Sequence, residues 1–118
     1  MYASIILPTY NEAGSLPRAI EAIRAAMAHR DDWEVIVVDD NSPDRTWELA
    51  QQYGRQDPRI RCYRRLDRRG LSSAIVDGLS LGMGERLLVM DADLQHDVSK
   101  VPDLLAHAVR LSGGWPGS

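Results

Sequence analysis

The chain has only one cysteine, Cys62, so it cannot form an internal disulfide, and such usage is consistent with a reducing compartment. No stretch approaches the roughly 20 consecutive apolar residues needed to cross a bilayer. No signal-peptide pattern is visible either, and repeats and low-complexity tracts are absent. Acids and bases are interspersed to a net charge of -3, without the basic stripe that marks nucleic-acid binding. These absences lead to the expectation of a cytoplasmic protein, with a peripheral position at the cytoplasmic membrane face left open. The 118 residues suffice for one domain around one core.

Within that domain, strand and helix signals alternate. Apolar runs at 4–7, 34–38 and 85–90 read as buried strands. A shorter strand is expected at 60–64, with Cys62 as a small core residue. Leu16, Ile20, Ile23 and Met27 follow helical spacing over about residues 14–29. Ser42 and Pro43 suit the N-cap and first position of a second helix, which carries Trp47, Ala50 and Tyr53 inward before Gly54 and Pro58 end it. Leu71, Ile75, Gly78, Leu79 and Gly82 trace a third helix. Val101, Leu104, Leu105, Ala108 and Val109 trace a fourth, and residues 111–118 read as an unstructured tail. Helices of this length between strands require right-handed crossovers, which predicts a Rossmann-like α/β domain with a mostly parallel sheet of about four strands over residues 1–110.

Three strands end in polar residues: Asn11 and Glu12, Asp39 and Asp40, Asp91 and Asp93. In a parallel sheet these ends share one edge. Clustered acids are unfavourable unless a cation or donor-rich ligand offsets them. Extended geometry would point Asp91 and Asp93 to the same side. Oxygen-only ligands with positions left open suit Mg²⁺ or Mn²⁺ carrying a diphosphate. The competing reading is a solvated loop that happens to hold two acids. Arg59, Arg61, Arg64, Arg65, Arg68 and Arg69 crowd one stretch. For most of them a charged, solvated edge is the expectation, with Arg69, beside the Gly70 turn, as the exception. His96 directly follows the acidic motif.

The segments ILPTYNE, VVDDNSPDRTWE, RRGLSSAIVDGL and VMDADLQH, in this order, resemble the nucleotide-binding half of family-2 GT-A glycosyltransferases. The dolichyl- and polyprenyl-phosphate mannose synthases are the most similar group, and the resemblance covers about residues 3–110. It implies that Pro8, Tyr10 and Glu12 line a nucleoside pocket, with Val38 and Asp40 beside the base. It further implies that Asp91, Asp93 and Gln95 meet a Mg²⁺ or Mn²⁺ ion, with Asp93 also counted as catalytic, and that Ala92 lies against the ribose and diphosphate. The implied donor is GDP-mannose or a UDP-sugar, and the implied acceptor a polyprenyl or dolichyl phosphate. Read from the residues alone, Tyr10 offers a ring face for a base and Asp40 can accept a base's N–H groups.

Departures from that family shape the remaining expectations. Its catalytic domains are much longer, the second half supplying further strands, the acceptor side and basic groups that close over the diphosphate. The usual Pro-Pro after the motif histidine is replaced by Asp97-Val98. This chain is therefore expected to be a donor-binding half with little transferase activity, and a non-catalytic nucleotide-sugar-binding fragment is the alternative. A later strand flanks the fourth one in the resembled fold. Without it, residues 86–90 would expose an apolar edge, which predicts either a homodimer joined there or a tail folded back with Trp115 as its anchor. A receiver-type Mg²⁺ site is a rival reading of Asp39, Asp40 and Asp91. It fits poorly, because a strand and helix precede the acid pair, no Thr follows Asp91, and Lys100 comes too soon.

Overall fold

The structure, a computed structural model, describes residues 1–93 and 98–107. Four strands, β1 (Ala3–Thr9), β2 (Trp33–Asp39), β3 (Ile60–Arg64) and β4 (Arg86–Val89), form one sheet in the order β3-β2-β1-β4, and every pairing is parallel. Helices α1 (Leu16–Ala26), α2 (Thr46–Gln56) and α3 (Leu71–Leu81) connect them, and a 3₁₀ turn (Val98–Lys100) leads into α4 (Val101–Ala106). The α/β expectation therefore holds. Tail residues 111–118, with Trp115, lie outside the described residues, as do Ala108 and Val109.

Alternation along the strands sorts the core into two faces. Ile5 and Leu7 of β1, with Val35 and Val37 of β2, bury against Leu16, Ile20 and Ile23 of α1, Ala50 of α2, and Val101 and Leu105 of α4. Ile6, Ile36 and Val38 face the other way, onto Ala74 of α3. Each such large aliphatic side chain contributes about 1.5–3 kcal/mol through burial. Leu104 is 56% exposed, so the i, i+4 pair Val101 and Leu105 carries the inward face of α4 and Leu104 does not. Glycine sets how closely the helices approach the sheet. A Cβ on Gly78 would overlap Cγ2 of Ile6, and one on Gly54 would come within 2.9 Å of the Ile60 carbonyl oxygen. Gly54 thus seats α2 rather than ending it, and the helix runs on to Gln56.

The start of α2 also departs from expectation. Ser42 does not cap it. Its hydroxyl donates to Asp39 Oδ1 at 2.7 Å and accepts from the Asn11 backbone N–H at 2.9 Å. The helix begins at Thr46 instead, after Arg45 in a left-handed conformation (φ 63°), with Asp44 Oδ1 accepting the Thr46 N–H at 3.0 Å. Asn11 and Asn41, just beyond β1 and β2, are also left-handed, each with φ 55°, a conformation asparagine tolerates well. The two loops interlock further: the Glu12 N–H donates to Thr46 Oγ1 at 3.0 Å and the Ala13 N–H to Asp44 Oδ2 at 3.1 Å.

Chain order decides where a ligand can sit. The sheet grows outward from β1 through β2 to β3, then returns to place β4 on the other side of β1. The connections diverge between β1 and β4, which opens a crevice at their carboxyl ends, the place where open α/β sheets bind ligands. Among the described residues β4 pairs only with β1 and forms the sheet edge, and no helix there is long and apolar enough to cross a membrane.

Candidate functional site

A cavity of about 390 Å³ occupies that crevice. Pro8, Thr9 and Tyr10 at the end of β1 form one wall, and Val89, Met90 and Asp91 at the end of β4 form another. Leu71, Ala74 and Ile75 from the first turns of α3 close the apolar side, while Glu12 and Asp40 add carboxylates. Its volume lies in the range of small-molecule sites, and its lining combines apolar side chains with Thr9, Tyr10 and the three carboxylates of Glu12, Asp40 and Asp91. Five residues singled out from the sequence meet here: Pro8, Tyr10, Glu12, Asp40 and Asp91. The α3 residues had a single signal, the Gly70-Leu71-Ser72-Ser73 turn. Leu71 is 66% exposed, an apolar side chain offered to the cavity mouth.

Three expected residues, Val38, Ala92 and Asp93, are not on the wall. Val38 is fully buried and packs beneath α3 with Ile6, Ile36 and Ala74. Ala92 is likewise fully buried, in the turn after β4. Nor does Asp39 turn toward the crevice. It is fully buried and accepts from Thr9 Oγ1 at 2.6 Å, from the Ser42 N–H at 2.9 Å and from the Ser42 hydroxyl. The two adjacent acids after β2 therefore have different tasks, since Asp39 ties strand ends together and Asp40 faces the cavity.

Asp40 is itself tightly held. Its Oδ1 accepts from Arg65 Nε at 2.6 Å, and its Oδ2 from the Gly70 N–H at 2.8 Å. Burial alone would raise its pKa, but the Arg65 guanidinium and the Gly70 N–H outweigh that and hold it below the usual carboxylate range. An ionised carboxylate has about four acceptor positions, so two remain for a ligand. Arg65 departs most from the expected solvated edge, with its side chain 1% exposed. Its neighbours are also fastened: Arg61 to Glu34 at 3.0 Å, Arg64 to Asn41 at 2.8 Å, Arg68 to Asp77 at 3.0 Å. The Arg69 guanidinium lies 4.7 Å from the centroid of the Tyr10 ring, beside the cavity wall.

β4 ends at Val89, and Asp91–Asp93 lie beyond it, turning at Ala92 and Asp93. The two acids are therefore not related by strand alternation. The Asp93 N–H donates to Asp91 Oδ1 at 3.3 Å, the pattern of an Asx turn. Both residues are exposed. Gln95 and His96 lie outside the described residues. Among the described residues no three His, Cys, Asp or Glu side chains gather around one point. Asp91 and Asp93 thus offer two carboxylates, hard oxygen groups that could hold Mg²⁺ or Mn²⁺ only with a ligand's phosphates and water in the other positions.

Known proteins share this fold and much of this sequence. The family profile described as Glycosyl transferase family 2 matches residues 4–112. A dolichol-phosphate mannosyltransferase from Pyrococcus furiosus is 43% identical over 105 residues, covering 89% of this chain and 29% of its own length. An undecaprenyl-phosphate mannosyltransferase from Micrococcus luteus is 36% identical over 129 aligned positions, covering 96% of this chain and 52% of its own. Among solved structures, the mannosyltransferase PcManGT from Pyrobaculum calidifontis, in complex with GDP-Man and Mn²⁺, superposes with a TM-score of 0.72. It is 27% identical, over 85% of this chain and 30% of that one. The chain thus spans between about a third and a half of the length of these relatives.

Proposed function

Because the chain belongs to glycosyl transferase family 2, we propose that it forms the donor-binding half of an enzyme transferring a sugar from a nucleoside diphosphate to a polyprenyl phosphate. The carrying observation is the cavity between the ends of β1 and β4, which an aromatic ring, a fixed carboxylate and the first acid of Asp91-Ala92-Asp93 line together. Relatives named as mannosyltransferases of dolichol and undecaprenyl phosphate, and a neighbour holding GDP-Man, make GDP-mannose the first candidate donor. UDP-sugars are the second.

Each residue then has a role. Tyr10 and the apolar side of α3 bracket the base, and Asp40 accepts its N–H groups. Asp91 and Asp93, with Gln95, would hold a Mg²⁺ or Mn²⁺ ion. Held there, it would supply positive charge to offset the charge that develops on the departing diphosphate. The phosphate oxygen of the acceptor attacks the anomeric carbon from the opposite side, forming the new C–O bond as the bond to the nucleoside diphosphate breaks. The electron pair leaves with the diphosphate, and configuration inverts. A phosphate acceptor is already ionised near neutral pH, so this transfer needs no strong general base.

Calorimetry with GDP, UDP and their mannose and glucose conjugates, with and without Mn²⁺, tests the donor half of the proposal. Metal-dependent binding with a preference for one base is the expected result. Failure of every one of these ligands to bind in the presence of Mn²⁺ would sink it.

A further inference from the structure

The cavity wall shows Asp40, but the group that aims Asp40 comes from behind it. We propose that Arg65 is a positioning residue for the nucleoside end of the site, locking the Asp40 carboxylate in the one orientation from which it can read a base. This rests on the donor-binding reading above and extends it to base selection.

The geometry forms a closed circuit. Arg65 Nε donates to Asp40 Oδ1 at 2.6 Å, Arg65 Nη2 donates to the Gly70 carbonyl at 2.9 Å, and the Gly70 N–H returns to Asp40 Oδ2 at 2.8 Å. With a donor on each oxygen, the carboxylate cannot rotate without breaking a charge-assisted hydrogen bond. Arg65 is fixed in turn by α3, where Nη1 donates to Ser73 Oγ at 2.8 Å and to Asp77 Oδ2 at 3.1 Å. Arg68 steadies the other oxygen of Asp77 at 3.0 Å. Gly70 completes the circuit with φ 118°, a backbone conformation that favours glycine.

Energetics separate this from a packing role. Stability alone is a weak reason to keep a buried ion pair, because desolvation offsets much of the attraction and apolar replacement is often neutral. Here one partner lines a cavity, and the other reaches α3, which supplies Leu71, Ala74 and Ile75 to the same wall. One buried fork thus registers the polar reader against the apolar wall. Lysine would retain the charge but could not span Asp40, Gly70, Ser73 and Asp77 together.

The test measures dissociation constants for ADP, CDP, GDP, UDP and inorganic pyrophosphate, all with Mn²⁺, in the wild type, Arg65→Met, Arg65→Lys, Asp40→Asn and the Asp40→Asn/Arg65→Met double variant. Arg65→Met is expected to shrink the ratio between best and worst base by about tenfold, as Asp40→Asn does, while pyrophosphate affinity stays within about twofold. The double variant should be no worse than either single one, since both remove the same reader. Arg65→Lys, the milder change, should reduce the ratio in the same direction and covers the case in which Arg65→Met fails to fold. Full base discrimination in either Arg65 variant would overturn the proposal, and so would equal losses for nucleotides and pyrophosphate. A wild-type protein that binds none of these ligands would instead overturn the donor-binding reading beneath it.

Discussion

Thr9 donates its hydroxyl to Asp39 Oδ1 at 2.6 Å, joining the last residue of β1 to the last residue of β2. Asp39 also takes two donors from Ser42, so three donors at the rim of the site depend on one buried carboxylate. Asp39→Ala would strand them, and each buried donor left unsatisfied costs about 1–3 kcal/mol, part of which water recovers. A loss of about 2–4 kcal/mol in urea denaturation is expected. A loss under about 0.5 kcal/mol, the size of an ordinary surface substitution, would mean that Asp39 does not organise this rim.

The acids after β4 carry the opposite expectation. Asp91 and Asp93 are both exposed, in a turn outside the core, so replacing both with Asn should leave circular dichroism and the denaturation midpoint unchanged. Mn²⁺-dependent nucleoside diphosphate binding should fall by at least about tenfold, or 1.4 kcal/mol. Undiminished metal-dependent binding in that double variant would remove the proposed metal assignment.

Gly78 tests the close approach of α3. A Cβ there would overlap Ile6 and come within 3.2 Å of Val38 Cγ2. Ordinarily a Gly→Ala change within a helix stabilises by about 1 kcal/mol. Here overpacking should reverse the sign, with a net loss of about 1–3 kcal/mol. A more stable Gly78→Ala protein would show that α3 can lift from the sheet freely.

Cys62 provides a chemical probe of the third strand. Burial pushes its thiol up to about 12, against an ordinary value near 9. Only the thiolate reacts readily, so at pH 8 the native protein should react with Ellman's reagent far more slowly than the unfolded chain. A rate in the native state equal to that in denaturant would contradict the packing of Cys62, in β3, against Trp47 of α2.

Much of this architecture is written locally. The spacing of Leu16, Ile20 and Ile23 specifies the buried face of α1, and the apolar runs of β1 and β2 announce strands covered on both faces, because such patterns depend only on the periods of helix and strand. The resemblance carried by the motifs at the ends of β1, β2 and β4 pointed to Pro8, Tyr10, Glu12, Asp40 and Asp91, and these five line one cavity. Other assignments depended on where distant residues arrived. Ser42 is a plausible cap by type, yet Asp39 and Asn11 claim its side chain. Asp39 and Asp40 are chemically identical neighbours whose roles divide because successive side chains at a strand end face opposite ways. Arg65 looks like one more surface base in an arginine-rich stretch. It is buried because β3 delivers it beneath Asp40 just where α3 brings Asp77 and Ser73 into reach. Local pattern determines which elements form and which faces they bury. Only the tertiary fold assigns partners to polar groups, because a hydrogen bond forms with whatever donor or acceptor the packed chain brings within about 3 Å.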